Sequence, residues 1–204
     1  MELEEVFQNY KGKKFRYLRG KGSGGIGILL MHGYSFYAEI WKECGLLDSI
    51  SNVASKFVSL DVPGFPKSKS RFNLSGEEFV DFLDSLIKME FGYPPVVLGS
   101  SASGFLALNY ASVSKNLSAV IAVDPVNVNE VDLHKINVPI LGIWGELDKI
   151  SDPSNASLIG ALKNGKTFLI KGAGHACYLD KSAEFNKIIV DFLKSVQELQ
   201  KTEK

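Results

Sequence analysis

The stretch Val96-Val97-Leu98-Gly99-Ser100-Ser101-Ala102-Ser103-Gly104 constrains this chain more than any other. Three apolar residues preceded by Pro94-Pro95 read as a short buried strand. The run Phe105-Leu106-Ala107-Leu108-Asn109-Tyr110-Ala111 reads as a buried helix. Gly99, Ser101, Ala102, Ser103 and Gly104, which join them, are all small. A turn that passes from strand to helix with so little side-chain volume lifts its central residue, Ser101, onto strained backbone where a substrate can reach the hydroxyl. The same turn aims the amide of Ala102, at the helix N-terminus, toward that spot. Serine-rich turns are also common as plain structure, so partners elsewhere in the chain decide what Ser101 is for.

Strands and helices alternate around this turn. Phe15–Leu18 reads as a strand at the sheet's edge, and Gly20–Gly25 as a flexible hairpin connection. That glycine loop lacks the Gly-Lys-Ser/Thr ending of a phosphate cradle, and a strand rather than a helix follows it. Ile26–Met31 is a continuous apolar run, as a strand covered on both faces requires. A helix is expected over about Glu39–Ser55, a strand at Lys56–Leu60, and a helix from the capping box Ser75-x-x-Glu78 to about Phe91. The Ser101 helix should end near Ser112. Further strands are expected at Leu117–Val123, Val138–Trp144 and Thr167–Lys171. Asp152-Pro153 should open a helix to about Leu162, and Asp180 or Ser182 should cap a long C-terminal one. The pattern predicts one α/β domain over residues 1–204, with a mostly parallel central sheet flanked by helices.

Composition narrows the function classes. Lys plus Arg and Asp plus Glu number 23 each, so no charge bias points to nucleic acid or to an anionic membrane surface. No apolar run approaches the ~18 residues of a membrane span, and Met1–Val6 carries no leader pattern. Cys44 and Cys177 are too few for a disulfide framework and read as reduced thiols, with Cys177 packed and inert. These features predict a cytoplasmic protein, monomeric or a small homo-oligomer, with a polar tail at Gln197–Lys204 that frays.

Ligands in a parallel sheet bind beyond the carboxyl ends of the strands, and the polar motifs of this chain fall there. They are His32-Gly33, Asp61, Ser101, Asp124, Glu146-x-Asp148 and Gly172-Ala173-Gly174-His175. A serine hydroxyl needs a base to take its proton, and that base needs an orienting acid. Of three histidines, His134 lies in a polar stretch and reads as a surface residue, while His32 sits at a strand end and reads as a brace for the loop that follows. His175, on a glycine-rich turn, is free to fold back over the sheet and is the candidate base. Asp148 is the candidate acid, with Asp124 as runner-up and Glu146 as a surface carboxylate. The order Ser101, Asp148, His175 matches one known chain order for such a set. A developing oxyanion would be held by the amides of Ala102 and Tyr34, with Gly33 letting the chain turn. No metal-ligand spacing is present and no cofactor is needed.

The combination of His32-Gly33, Asp61-x-Pro63-Gly64-Phe65, Gly99-x-Ser101, Gly145-x-x-Asp148 and Gly174-His175 resembles the α/β-hydrolase superfamily over nearly the whole length. The stretch Lys171–Lys181, with Leu60–Phe65 and Ser100–Gly104, is similar more narrowly to the small lidless abhydrolase-domain-14 group. That resemblance implies an α/β-hydrolase fold without a lid domain and a Ser101, Asp148, His175 triad. It also implies hydrolysis of small acyl esters or acyl-amine bonds. Too few residues separate Val123 from Pro139 for a lid, which predicts an open site for a short acyl group on a small molecule. Gly33, Phe36, Phe65 and Tyr178 are candidates to contact it, with Tyr34, Tyr37 and Val126 beside them. Three functions stay open: a carboxylesterase, an acyltransferase or deacylase acting on acyl-amine or thioester substrates, and an interaction module on a hydrolase scaffold.

Overall fold

The computed structural model describes residues 2–202. In chain order its strands and helices are β1 (Glu4–Tyr10), β2 (Lys13–Lys21), β3 (Ile26–Met31), α1 (Ile40–Glu43), α2 (Leu46–Ile50), β4 (Ala54–Leu60) and α3 (Gly76–Glu90). There follow β5 (Val96–Ser100), α4 (Ala102–Val113), β6 (Ala119–Val123), β7 (Ile140–Gly145), α5 (Ala156–Gly160), β8 (Gly165–Ile170), α6 (Cys177–Asp180) and α7 (Ser182–Thr202). The strands form one sheet in the order β1-β2-β4-β3-β5-β6-β7-β8. From β4 to β8 every neighbouring pair is parallel, and the β1–β2 hairpin adds on antiparallel. The sheet is the mostly parallel one expected. All residues of β3, β5, β6 and β7 are buried, because apolar clusters cover both faces.

Several details differ from expectation. Glu4–Tyr10 forms a strand, so Phe15–Leu18 lies inside the sheet and not at its edge. Its alternation is poor on the buried face, where Gln8 stands between Val6 and Tyr10. The turn is the clearer signal, since Lys11 and Gly12 both have positive φ (48° and 79°), as a two-residue hairpin turn needs. The Gly22–Gly25 loop is not a flexible hairpin: β4 lies between β2 and β3, and the loop's amides bond the carbonyls of Ser51, Val53, Ala54 and Ser55. A Cβ at Gly24 would come within 1.9 Å of the Val53 carbonyl oxygen.

The single helix expected over Glu39–Ser55 is two short ones, broken at Gly45 in the left-handed region (φ 75°). Asp180 does not cap the last helix; its carboxylate accepts the Gly174 amide instead, and α7 begins at Ser182. The polar tail is helical through Thr202, while Glu203 and Lys204 lie outside the described residues. The Ser75 capping box forms as written, and Asp152 caps its helix by accepting the Ser154 amide. Between β6 and β7 stand two 3-10 turns, Val128–Glu130 and Leu133–Lys135, and no lid. Among the described residues no helix is long and apolar enough to cross a membrane.

Candidate active site

The turn from β5 to α4 has the geometry its small residues require. Ser101 stands at φ 56° and ψ −118°, a conformation a non-glycine residue holds only where its surroundings enforce it. Here the Ser101 amide donates to the Val123 carbonyl at 2.8 Å, and its carbonyl accepts the amides of Phe105 and Val126. Gly99 has no freedom to be larger: a Cβ there would lie 2.0 Å from the Ser103 carbonyl oxygen. Ser103 is more than a small residue. Its buried hydroxyl accepts the Ser100 amide at 2.9 Å and donates toward the carbonyls of Met31 and Ser100, which staples the turn to the end of β3.

Three residues far apart in sequence meet above this turn. The Ser101 hydroxyl lies 2.8 Å from His175 Nε2, and His175 Nδ1 lies 2.8 Å from Asp148 Oδ2. With Asp148 accepting at Nδ1–H, the tautomer leaves Nε2 as acceptor for the serine proton. The Asp148 side chain is fully buried while that of His175 is 21% exposed, so the chain of bonds runs from the interior to a reachable hydroxyl. Asp148 Oδ1 accepts the Ile150 and Ser151 amides, and the Ser151 hydroxyl bridges Trp144 Nε1 and the Pro125 carbonyl. The loop carrying the acid is therefore fixed from both sides.

The loops that present Asp148 and His175 are also bonded to each other. The Glu146 carboxylate accepts the Gly172 amide, and the Leu147 amide donates to the Ala173 carbonyl. Gly145 makes this approach possible, since a Cβ there would meet the Gly174 carbonyl oxygen at 2.1 Å. Glu146, expected to be a plain surface carboxylate, is exposed but takes part in this junction. Asp124, the runner-up acid, bonds backbone amides rather than the imidazole.

His32 braces the neighbouring loop as expected, and its contacts show how. Nε2 accepts the Val62 amide at 3.0 Å, which leaves the proton on Nδ1 to be donated to the Gly33 carbonyl at 2.8 Å. That carbonyl also accepts the Phe36 amide. In a trans peptide the N–H points opposite to the C=O, so fixing the Gly33 carbonyl fixes the direction of the Tyr34 amide. Burial lowers the His32 pKa below its ordinary value, keeping the ring neutral in this tautomer. Gly33 packs against the turn, and a Cβ there would lie 3.6 Å from that of Ser101. Among the described residues the Tyr34 and Ala102 amides have no hydrogen-bond acceptor.

Below the loop, Arg16 is 3% exposed and binds the carboxylates of Glu5, Glu39 and Asp61. Asp61 in turn accepts the Ala38 amide, so this cluster fixes the far end of the same loop. The motif had marked Asp61, but nothing in the sequence singled out Arg16. Of the expected contact residues, Phe36 and Phe65 are half-buried, and Phe65 packs on His32 and Tyr34. Tyr178 is buried among Trp41, Phe36 and Phe185, so it is closed to a substrate and supports the site from beneath. Tyr37 is half-buried and bonds Glu43, and His134 is exposed. Both cysteines are free and buried, and burial raises the Cys177 thiol, keeping it protonated and inert.

Residues 28–143 match the family model described as the alpha/beta hydrolase family. ABHD14B of Pongo abelii, which bears the provisional name protein-lysine deacylase, is 32% identical over 186 residues, covering 87% of this chain and 88% of that protein. ABHD14A of Homo sapiens is 27% identical over 173 residues, covering 82% of this chain and 64% of that protein. A crystal structure described as that of a predicted CIB-like hydrolase from Thermoplasma acidophilum superposes with a TM-score of 0.86 at 25% identity, covering 96% of this chain and 99% of that one.

Proposed function

The chain belongs to the alpha/beta hydrolase family, and on that premise we propose that it is a serine hydrolase that removes short acyl groups through an acyl-enzyme. The observation that carries this reading is the pair of 2.8 Å contacts linking Ser101 to His175 and His175 to Asp148. In the reading, His175 Nε2 takes the Ser101 proton as the oxygen attacks the acyl carbonyl, and Asp148 stabilises the imidazolium that forms. The Tyr34 and Ala102 amides receive the oxyanion. Collapse of the tetrahedral intermediate breaks the bond to the leaving group, which takes the proton from His175. A water then repeats the sequence on the acyl-enzyme: His175 takes its proton, and the carboxylic acid leaves as Ser101 recovers its own.

The primary substrates we assign are short-chain esters of small molecules. The lack of a lid and the exposure of Tyr34 (54%) support an open site, where a long acyl chain would find little to enclose it. The likeness to ABHD14B favours a second reading, removal of acyl groups from amines such as lysine side chains. The acyl-enzyme is common to both, and the leaving group alone differs. We assign the protein to the cytoplasm, consistent with its two free cysteines, as a single domain acting as a monomer or small homo-oligomer.

The test is labelling with a fluorophosphonate probe, location of the adduct by peptide mass spectrometry, and turnover of p-nitrophenyl acetate and of an acetyl-lysine peptide. The expected result is an adduct on Ser101 and loss of turnover in Ser101→Ala, since removing such a nucleophile costs ~10⁶ in kcat. Turnover in Ser101→Ala within about tenfold of the parent would overturn the serine mechanism. Folded protein that neither labels nor turns over would instead favour an interaction module on a hydrolase scaffold.

A further inference from the structure

Asp124 is fully buried beside the proposed catalytic residues, and the reaction described above does not use it. It follows β6 in the left-handed region (φ 44°), a conformation aspartate tolerates better than most residues. Its Oδ1 accepts the Gly145 amide at 2.8 Å, where the loop to Asp148 begins. Its Oδ2 accepts the Cys177 amide at 3.4 Å, two residues beyond His175. One ligating atom each from Asp124, Asp148 and His175 lies within 4.8 Å of the others. A second carboxyl therefore stands beside the imidazole, anchored to the loops of both partners by bonds that do not pass through Asp148.

We propose that Asp124 is a positioning residue of this site, a second acid that orients His175 when Asp148 cannot. The inference rests on the serine-hydrolase reading. Its physical basis is the mutual exclusion of two buried charges. Three donors converge on Asp148: the Ile150 and Ser151 amides and His175 Nδ1. Around Asp124 stand the Gly145 and Cys177 amides, the Cys177 thiol, the Tyr178 phenol and the Asp148 carboxylate. Burial first, and the Asp148 charge as well, push the Asp124 carboxyl up to about 7. Burial also raises the Cys177 thiol and the Tyr178 phenol, so neither contributes a charge near neutral pH. While Asp148 is ionised, Asp124 keeps its proton below about pH 7, and there it adds little charge to the imidazole's environment. Loss of the Asp148 charge removes one of the forces keeping that proton on, so Asp124 ionises within 4.8 Å of the place the missing carboxylate oxygen held.

The experiment is a double-mutant cycle on the full chain with Asp148→Ala, Asp124→Asn and the double variant. The readouts are kcat/KM for p-nitrophenyl acetate across the pH range, Ser101 labelling, and urea midpoints. Adding Asp124→Asn is expected to cost the Asp148→Ala protein at least about tenfold more in kcat/KM than it costs the parent. The residual activity of Asp148→Ala should rise with pH as Asp124 ionises, and the double variant should lack that limb. A merely structural role for Asp124 would give multiplicative losses and superimposable pH profiles, and either result overturns the proposal. Asp148→Asn repeats the cycle should the alanine variant not fold. A parent that labels at Ser101 while the cycle shows no coupling removes the Asp124 role alone. An unlabelled, inactive parent removes the serine-hydrolase reading and this inference with it.

Discussion

The buried carboxyl of Asp124 makes the stability of this protein depend on pH in an unusual direction. Replacing it with asparagine keeps the shape and an oxygen for the Gly145 amide, but removes the ionisation and the acceptor of the Cys177 amide, the latter a loss common to both pH values compared below. The ordinary Asp value of 3.8 is raised in the folded state to about 7, so between those values the native protein binds a proton that the unfolded chain has released. Stability then falls as pH rises through that window, the reverse of a salt-bridged aspartate. Each unit of pH within it is worth ~1.36 kcal/mol. From about pH 5 to about pH 8 the unfolded chain gains about 4 kcal/mol from ionisation and the native state recovers about 1.5 of it, leaving a net loss of about 2.5 kcal/mol. All other titrating groups are common to parent and variant and largely cancel in the comparison. Urea unfolding of both proteins at the two pH values measures the difference directly. Asp124→Asn should gain about 2.5 kcal/mol on the parent between about pH 5 and about pH 8. A stability gap constant within about 0.5 kcal/mol would mean that Asp124 is ionised throughout, and the argument from mutual exclusion would fail with it.

Two further substitutions probe the supports of the site. Ser103→Ala leaves the buried Ser100 amide without its acceptor, a loss of ~1–3 kcal/mol; an unchanged urea midpoint would show that the staple between the turn and β3 carries no weight. Arg16→Met strips the buried Asp61 carboxylate of its cation, which should cost ~3–5 kcal/mol, and Asp61→Asn in the same chain should restore part of that. No recovery in the double variant would place the cost in lost packing and not in the unpaired charge.

Legibility in the sequence followed from how directly chemistry limits residue type. The turn around Ser101 was readable because strained backbone and close approach admit only small residues, and Gly99 meets that demand within 2.0 Å of the Ser103 carbonyl oxygen. The meeting of Asp148 and His175 beside Ser101 was readable because a serine proposed as nucleophile calls for an acid and a base beyond strand ends, and only three histidines competed. The first strand was hidden because Gln8 breaks its buried face. The break at Gly45 was hidden because the apolar spacing of Ile40, Trp41, Leu47 and Ile50 continues across it. Tyr178 was misplaced for a related reason: an aromatic three residues from His175 suits either a substrate or the core, and packing against Trp41 and Phe185 decides the matter.

The supports of the site share a different property, which explains why no local pattern marked them. Arg16 lies on β2, yet it binds Glu39 and Asp61 and so holds a loop that begins beyond β3. Asp124 follows β6, yet it bonds amides beside Asp148 on one loop and His175 on another. Each joins elements that the sheet order brings together, and the spacing of a strand or helix carries no trace of such a bond. Asp124 differs from Arg16 in one respect that matters for function. Arg16 neutralises carboxylates, whereas Asp124 sets a second acid beside the one that its neighbour already supplies. Two buried carboxyls beside one imidazole work against each other while both are ionised, so keeping a second acid at this position carries a burial cost. The pH dependence of stability therefore measures the cost of burying that carboxyl, and the coupling of Asp124 to Asp148 in kcat/KM measures whether it serves the imidazole.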